Sequence, residues 1–184
     1  RAAQAAGLGV RVHAEQLTRS GGAALAAKLK ACTADHLDKA DDADLAALKA
    51  AGTVACLVPG SNHFLGLAEM PPARRILDAG VPVALATDFN PGTCPCWNMQ
   101  EILAIAVTRM KMTPEEALVS ATVNGAWAAG LGKTHGTLEA GKAADVVVYD
   151  AADPRELSYW FGKNLAVTVF KAGKVVHSAT DLRA

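Results

Sequence analysis

The sequence predicts an α/β protein whose first half contains a parallel sheet with helical crossovers. Short apolar segments alternate with helical segments four times at a regular spacing. Polar residues end three of the four predicted strands: His13, His36 and Asp88. Either half of a (β/α)8 barrel of the TIM type or a doubly wound sheet would have this alternation. The strand-end residues favour the half-barrel, because barrel strand ends surround one central site, whereas an open sheet spreads them along an edge.

The composition excludes several classes of function. Of the 184 residues, 51% are hydrophobic, and the net charge is zero, which argues against binding to nucleic acid or a membrane surface through a basic face. We find neither an apolar segment long enough to span a membrane nor a signal-peptide pattern. The first residues, Arg1 to Gly7, lack an initiator Met and have the pattern of a helix that ends at a glycine. We therefore expect this chain to be a piece of a longer protein.

The four cysteines suggest no disulfide framework. Cys32 and Cys56 lie in apolar, strand-like segments and are expected to be buried small hydrophobic residues. Cys94-Pro95-Cys96 has a spacing too tight for the usual zinc pair, and no second pair is present to complete a structural site. A reducing compartment follows as the default, so we predict a cytoplasmic protein.

Strands and helices can be assigned in order through the first half of the chain. The predicted strands run from Leu8 to Glu15, from Cys32 to Leu37, from Thr53 to Val58, and onward from Val81. Pro59-Gly60-Ser61-Asn62 is expected to form a loop. Helices are predicted between the strands, with acidic residues, an early proline or a closing glycine at the expected ends: Ala23 to Lys30, Ala43 to Ala51 and Pro71 to Ala79.

The second half of the chain changes from helical to β-rich. Helices are predicted from Asn98 to Arg109 and from Thr113 to Leu131, the latter because Thr113-Pro114-Glu115-Glu116 combines an N-cap, a first-turn proline and a capping box. The tail contains three strand-like segments without crossover helices, and the last two are spaced as a hairpin: 144–150, 167–170 and 175–177. We therefore predict a barrel part over residues 1–133 and part of a small β-sandwich domain over residues 134–184.

The segment from Val81 to Pro95 is central to the functional prediction. A buried apolar strand there delivers Asp88 into a turn rich in Asn, Pro and Gly. With His13 and His36, the carboxylate could hold a divalent metal and activate water. Plain structural roles are open for each residue: a helix N-cap or turn for Asp88, a core histidine for His13, and a polar pair with Asp35 for His36.

Three motifs resemble those of imidazolonepropionases in the amidohydrolase superfamily. They are His13-Ala14-Glu15-Gln16, Ala34-Asp35-His36-Leu37 and Thr87-Asp88-Phe89-Asn90-Pro91-Gly92-Thr93. The segment from Gly136 to Asp145 is similar to a tail shared widely across the superfamily. The resemblance covers almost the whole chain and implies the C-terminal half of the barrel, with strands five to eight.

The resemblance implies a metal-dependent hydrolysis. His13 and Asp88 would be ligands to one divalent ion, zinc or iron, and Asp88 would also help to take a proton from the water. His36 would be catalytic, stabilising the developing tetrahedral oxygen. The reaction would open the cyclic C–N bond of 4-imidazolone-5-propanoate to give N-formimidoyl-L-glutamate in histidine degradation. The partner would be this small molecule, with neither nucleic acid nor membrane, and a homodimer is left open.

The resemblance also implies the substrate contacts. Gln16 and His36 would contact the imidazolone, and Asn90, Gly92 and Thr93 would hold the propanoate. Many family members have Glu at the position of Gln16. The family's His-x-His ligands and its substrate-binding Arg and Tyr from the first half are absent from this sequence. The alternatives are another superfamily enzyme, a ring deaminase or cyclic amidase, and an inactive barrel that serves as a binding module.

Overall fold

The computed structural model describes residues 2–179, which contain a four-stranded parallel sheet and a three-stranded antiparallel sheet. The parallel strands lie in sequence order: β1 (Arg11–Ala14), β2 (Thr33–His36), β3 (Val54–Leu57) and β4 (Val83–Leu85). Because all four run in the same direction, their carboxyl ends lie at one edge. The predicted parallel α/β architecture of the first half is confirmed.

Helices connect the parallel strands and continue after them. The helices are α1 (Ala2–Ala5), α2 (Gly22–Leu29), α3 (Asp42–Ala51), α4 (Pro59–Phe64), α5 (Ala73–Asp78), α6 (Met99–Met110), α7 (Pro114–Ala121), α8 (Val123–Ala128) and α9 (Glu156–Tyr159). Within residues 2–179, no helix combines the length and apolar character needed to cross a bilayer.

The two faces of the parallel sheet differ in chemistry. Alternate residues of the strands, such as Ala34, Leu57 and Leu85, are buried in the core formed with the helices. On the opposite face, the strand register places His13 beside Asp35, followed by Cys56 and Ala84. The polar row therefore lies on the face opposite the helical layer.

Two predictions about helices need correction, and one helix was missed. Pro59-Gly60-Ser61-Asn62 is the start of α4, because proline favours the first turn of a helix as well as a loop. The predicted helix from Thr113 to Leu131 is split into α7 and α8 at Thr122, whose backbone is not helical and whose hydroxyl donates to Leu118 O. Helix α9 was not predicted. The capping box at Thr113 is confirmed.

The tail forms one antiparallel sheet of β5 (Val146–Tyr149), β6 (Ala166–Lys171) and β7 (Lys174–Ser178). The predicted hairpin is confirmed: Ala172 and Gly173 have φ values of 50° and 77°, as a type I′ turn requires. A sandwich needs two sheets packed face to face, and the tail of the described chain contributes one. The β-sandwich is thus not confirmed by these residues.

Candidate functional site

Left-handed backbone conformations are concentrated at the carboxyl edge of the parallel sheet. Glu15, His36, Leu37 and Asp88 have φ values of 54°, 75°, 66° and 52° at the ends of β1, β2 and β4. A non-glycine residue in this region is strained, at a cost of about 1–3 kcal/mol each, and such strain occurs often at functional sites. The edge with the predicted site residues is therefore also the edge with the strained backbone.

His13 and His36 are brought together at this edge. Their rings stack with centroids 4.2 Å apart and an angle of 29° between planes. His36 is buried, its Nδ1 has no hydrogen-bond partner within the described chain, and His13 is exposed on the open face of the sheet. Burial, reinforced by the charge of His13, lowers the pKa of His36 to about 4. His36 is therefore a neutral imidazole at pH 7.

Asp88 is close enough to His13 for their charges to interact. Burial raises the pKa of the Asp88 carboxyl, and His13 opposes that rise. The N-cap alternative for Asp88 is wrong: the next helix, α6, begins at Met99, and Asn98 caps it by accepting the N–H of Gln100 at 3.0 Å. A partly desolvated carboxylate with a raised pKa suits proton acceptance.

The turn after Asp88 is closed by Asn90. Its Oδ1 accepts the backbone N–H groups of Gly92 and Thr93 at 2.9 and 2.7 Å. Its Nδ2 donates to the Asp88 carbonyl at 2.8 Å and lies 3.0 Å from the Thr93 hydroxyl. Asn90, Gly92 and Thr93 are therefore together, and they are bonded to one another in this structure.

Gln16 lies on a neighbouring concavity, apart from the ring pair. It lines a cavity of about 300 Å³ together with Asp38, Asn62 and Glu69. Glu15, the residue before it, is buried and points inward, where its carboxylate accepts the N–H groups of Ser20 and Ala23. The side chains of the His13-Ala14-Glu15-Gln16 motif thus point into different environments.

Two acidic residues near the site were not predicted as site residues, although Asp35 was considered as a polar partner of His36. Asp35 lies beside His13 in the strand register, and burial raises its pKa, with the charge of Asp88 adding to the rise. Asp38 accepts a hydrogen bond from Asn62 Nδ2, and burial raises its pKa as well. The period of two along β2 could have identified Asp35, because it is two residues from Thr33 on the His13 face. Asp38 lies in a loop, where no periodicity points to it.

The described residues supply part of a metal-ligand set. His13 offers an imidazole nitrogen and Asp88 a carboxylate, the donor types that zinc and iron accept. Between residues 2 and 179, no three His, Cys, Asp or Glu side chains are grouped closely enough to hold an ion. The donors fit the metal in type, and further ligands would have to come from outside the described residues.

The fold and the edge residues together define an α/β protein with a candidate hydrolytic site at the carboxyl ends of a parallel sheet. Residues 2–176 match the model of the amidohydrolase family, and the chain belongs to that family. It has the α/β fold with a parallel sheet that is found in this superfamily.

Curated imidazolonepropionases are among the relatives that match this chain. An imidazolonepropionase of Pseudomonas savastanoi pv. phaseolicola is 46% identical over 166 residues, which cover 90% of this chain and 41% of the relative. One of Solibacter usitatus is 47% identical over 176 residues, or 96% and 42% of the two chains. The chain thus spans about two fifths of the length of these relatives.

Solved structures share the fold at low sequence identity. A zinc-bound adenosine deaminase of Xanthomonas campestris has a TM-score of 0.80 at 23% identity, covering 96% of this chain and 47% of the other. A mutant atrazine chlorohydrolase of Arthrobacter aurescens, complexed with zinc and atraton, has a TM-score of 0.77 at 19% identity, covering 96% and 46%. At these identities the likeness shows the fold alone.

Proposed function

We propose that this chain is the C-terminal part of an imidazolonepropionase, a cytoplasmic hydrolase of histidine degradation. The enzyme opens the cyclic C–N bond of 4-imidazolone-5-propanoate and releases N-formimidoyl-L-glutamate. The observation that carries the proposal is the meeting of His13, His36 and Asp88 at one sheet edge in a chain similar to imidazolonepropionases. Fold alone would not carry it, since related folds support other chemistries.

The proposed architecture is the second half of a (β/α)8 barrel, with β1 to β4 as strands five to eight over residues 1–133. Residues 134–184 then belong to a small β-sandwich whose second sheet comes from outside the chain. The open face of the parallel sheet supports this arrangement, because Arg11 and His13 lie exposed on it. In a closed barrel this face would be the interior, and the other four strands would enclose it.

In the proposed mechanism Asp88 is the proton acceptor. Its raised pKa favours taking a proton from the attacking water. His36, neutral and buried, donates an N–H to the carbonyl oxygen as negative charge develops there. Asp88 then returns the proton to the ring nitrogen as the C–N bond breaks.

The substrate would span the sheet edge. Gln16 and His36 contact the imidazolone ring, and the turn of Asn90, Gly92 and Thr93 faces the propanoate. The Gly92 N–H donates to Asn90 Oδ1, whereas the Thr93 hydroxyl, which accepts from Asn90 Nδ2, keeps a hydrogen that suits a carboxylate. The anionic end and the ring are thereby bound by separate segments of the chain.

A single divalent ion, zinc or iron, completes the proposed site. His13 and Asp88 would hold it together with ligands from outside this chain. When bound, such an ion lowers the pKa of a coordinated water toward neutrality and polarises the carbonyl. A small-molecule substrate is the proposed partner, without nucleic acid or membrane.

A substrate panel on the complete enzyme tests the proposal. Loss of imidazolone absorbance without ammonia release is expected for the wild type, and ammonia release would instead indicate a ring deaminase. His13→Ala and Asp88→Asn should each lower kcat/KM by at least about 10³-fold, with a loss of bound metal. His177→Ala, an exposed histidine in β7, is the matched control and should leave both unchanged. Full activity in the His13 and Asp88 variants, or an absence of bound metal in the wild type, would contradict the proposal.

A further inference from the structure

Two consecutive residues at the end of β2 have a left-handed backbone. His36 and Leu37 have φ values of 75° and 66°, and neither is a glycine. A non-glycine residue persists in this region only where its surroundings hold it. Because the left-handed turn at His36 brings its ring onto His13, whatever holds the turn also holds the stacked ring pair.

Backbone hydrogen bonds hold both sides of this turn against the end of β1. The Leu37 N–H donates to Ala14 O at 3.0 Å, and the Lys39 N–H donates to Glu15 O at 2.8 Å. The Leu37 side chain is fully buried in the core. Asp38, which lies between the two bonded N–H groups, is left to be fixed through its side chain.

The Asp38 side chain is fixed by Asn62, in α4. Asn62 is buried, and its Nδ2 donates to Asp38 Oδ1 and, at 3.2 Å, to Glu69 O. Both amide hydrogens are therefore used, one on the residue that follows the left-handed turn and one on the loop before α5. Asn62 thus joins the end of β2, helix α4 and the loop that leads to α5.

A second link between the same segments lies in solvent. Lys39 and Glu69 form an ion pair, and both side chains are exposed. Exposed ion pairs contribute little, because water screens the charges and two long side chains must be ordered. The buried Asn62 amide is therefore the stronger tie on the end of β2.

We infer that Asn62 is a positioning residue for His36, on which it acts through Asp38 and the left-handed end of β2. The inference rests on the proposed function for the role of His36. It gives α4, which begins just after the third parallel strand, an indirect part in the reaction.

Three variants remove or keep the bond between Asn62 and Asp38. Asn62→Leu keeps a similar volume and removes the donor. Asp38→Ala removes the acceptor at a half-buried loop position, so it tests the bond without a change in the core. Asp38→Asn keeps the Oδ1 acceptor, and its new amide group replaces Oδ2, which has no hydrogen-bond partner within residues 2–179.

Asn124→Leu is the matched control. It removes the same kind of bond, from the Asn124 Nδ2 to Val83 O at 2.7 Å. Val83 is the first residue of β4, at the opposite end of the sheet from the ring pair. The control therefore measures the general cost of losing a link between a helix and the sheet.

Kinetics on the complete enzyme test whether the bond acts on the reaction. Asn62→Leu and Asp38→Ala should each lower kcat/KM for 4-imidazolone-5-propanoate by about 10²-fold, because a small misplacement of a reacting group is costly. Asp38→Asn and Asn124→Leu should remain within about threefold of the wild type. A loss in Asp38→Asn equal to that in Asp38→Ala would show that the charge of Asp38 acts directly, and would overturn the inference.

The same change in a His36→Gln background identifies the group through which Asn62 acts. There, Asn62→Leu should lower kcat/KM by less than about threefold, because the group that it positions is already absent. A further loss of about 10²-fold would show that Asn62 acts on another group, which would contradict the inference.

The His36 ring provides a readout that does not depend on turnover. In the complete enzyme with isotopically labelled histidine, the imidazole resonance that is missing from His36→Gln belongs to His36, and its chemical shift reports the stacking on His13. It should move in Asn62→Leu and Asp38→Ala, and it should stay in place in Asp38→Asn and Asn124→Leu. An unmoved resonance in the first two variants would overturn the inference. If the wild type fails to hydrolyse 4-imidazolone-5-propanoate, the proposed function fails, and the resonance still decides whether Asn62 positions His36.

Discussion

Glu15 shows how a single buried side chain can organise a strand end. It lies between the proposed ligand His13 and the proposed ring contact Gln16. Its carboxylate accepts the N–H groups of Ser20 and Ala23 at 2.5 and 3.0 Å. Ala23 is in the first turn of α2, where the preceding Gly21 has no side chain to cap the helix. Glu15 therefore caps α2 from a distance and closes the loop that contains Gln16.

Glu15→Gln tests this capping role. The substitution points an amide NH2 at one of two backbone N–H donors, so a buried donor loses its acceptor. We expect the free energy of unfolding to fall by about 1–3 kcal/mol, measured by urea denaturation of the 184-residue chain. Glu139→Gln, which alters an exposed carboxylate, should change it by less than about 0.5 kcal/mol. Equal stability of the two variants would contradict the capping role.

At the scale of elements, α3 is tied to the loop after β1 by a charged pair. Arg19 donates to both carboxylate oxygens of Asp44, at 2.8 and 3.2 Å, and Asp44 also completes the capping box with Asp41. The Arg19 hydrogen bond is the largest cause that lowers the pKa of Asp44 below its usual 3.8. A carboxyl with a lowered folded pKa stabilises the fold above its unfolded pKa, and this stabilisation is lost as the pH falls through the folded pKa.

Asp44→Asn should therefore have a pH-dependent effect. We expect the free energy of unfolding to fall by about 1–2 kcal/mol at pH 7, with the difference from wild type shrinking below about pH 4. Asp42→Asn removes an exposed charge that pairs with Arg75 and should have little effect at either pH. Urea unfolding from pH 7 to pH 3 measures both, and a loss for Asp44→Asn that is independent of pH would contradict this explanation.

Helix α4 approaches the turn of residues 90–94 closely at Gly60. A Cβ there would lie 2.7 Å from Cys94 Sγ and 3.0 Å from Ile102 Cδ1, both in buried side chains. Gly60→Ala should thus lower the free energy of unfolding by about 1–3 kcal/mol. Gly125→Ala, in α8 with its nearest contact at 3.4 Å, is the control and should be neutral or stabilising.

A double variant that combines Gly60→Ala with Cys94→Ala identifies which side chain clashes with the new Cβ. If Cys94 Sγ is the obstacle, the double variant should lose less stability than the sum of the two single variants, by at least about 0.5 kcal/mol. Strict additivity in thermal or urea unfolding would place the strain at Ile102 instead.

Across the whole molecule, the sequence predicted those features that depend on strand order and periodicity. Apolar segments ending at His13, His36 and Asp88 were enough to predict a shared edge, because parallel strands end on the same side. Features that depend on packing were not predictable. Cys32 was expected to be buried and is exposed, because the apolar character of its neighbours does not specify which side of the strand start it occupies.

The same limit applies to the candidate site. Left-handed backbone at His36 brings its ring onto His13, although strict alternation along β2 would point the two rings to opposite faces. The hydrogen bonds that Asn90 Oδ1 accepts from Gly92 and Thr93 likewise follow from a turn geometry that several sequences can adopt. Residue types suggested the chemistry that we propose, whereas the backbone conformation at the strand ends determined which of them meet.

The distribution of ligands over the molecule leads to a final prediction. His13 and Asp88 are two proposed donors, and a catalytic zinc site usually has three from the protein. The 184-residue chain alone should therefore bind Zn²⁺ weakly and should not hydrolyse 4-imidazolone-5-propanoate at a measurable rate. The N-terminal part of a relative, such as the imidazolonepropionase of Solibacter usitatus, can be expressed separately and added to the chain. This addition should restore tight Zn²⁺ binding together with turnover. Metal-dependent hydrolysis by the chain alone would contradict this prediction, because it would show that its own residues form a complete site.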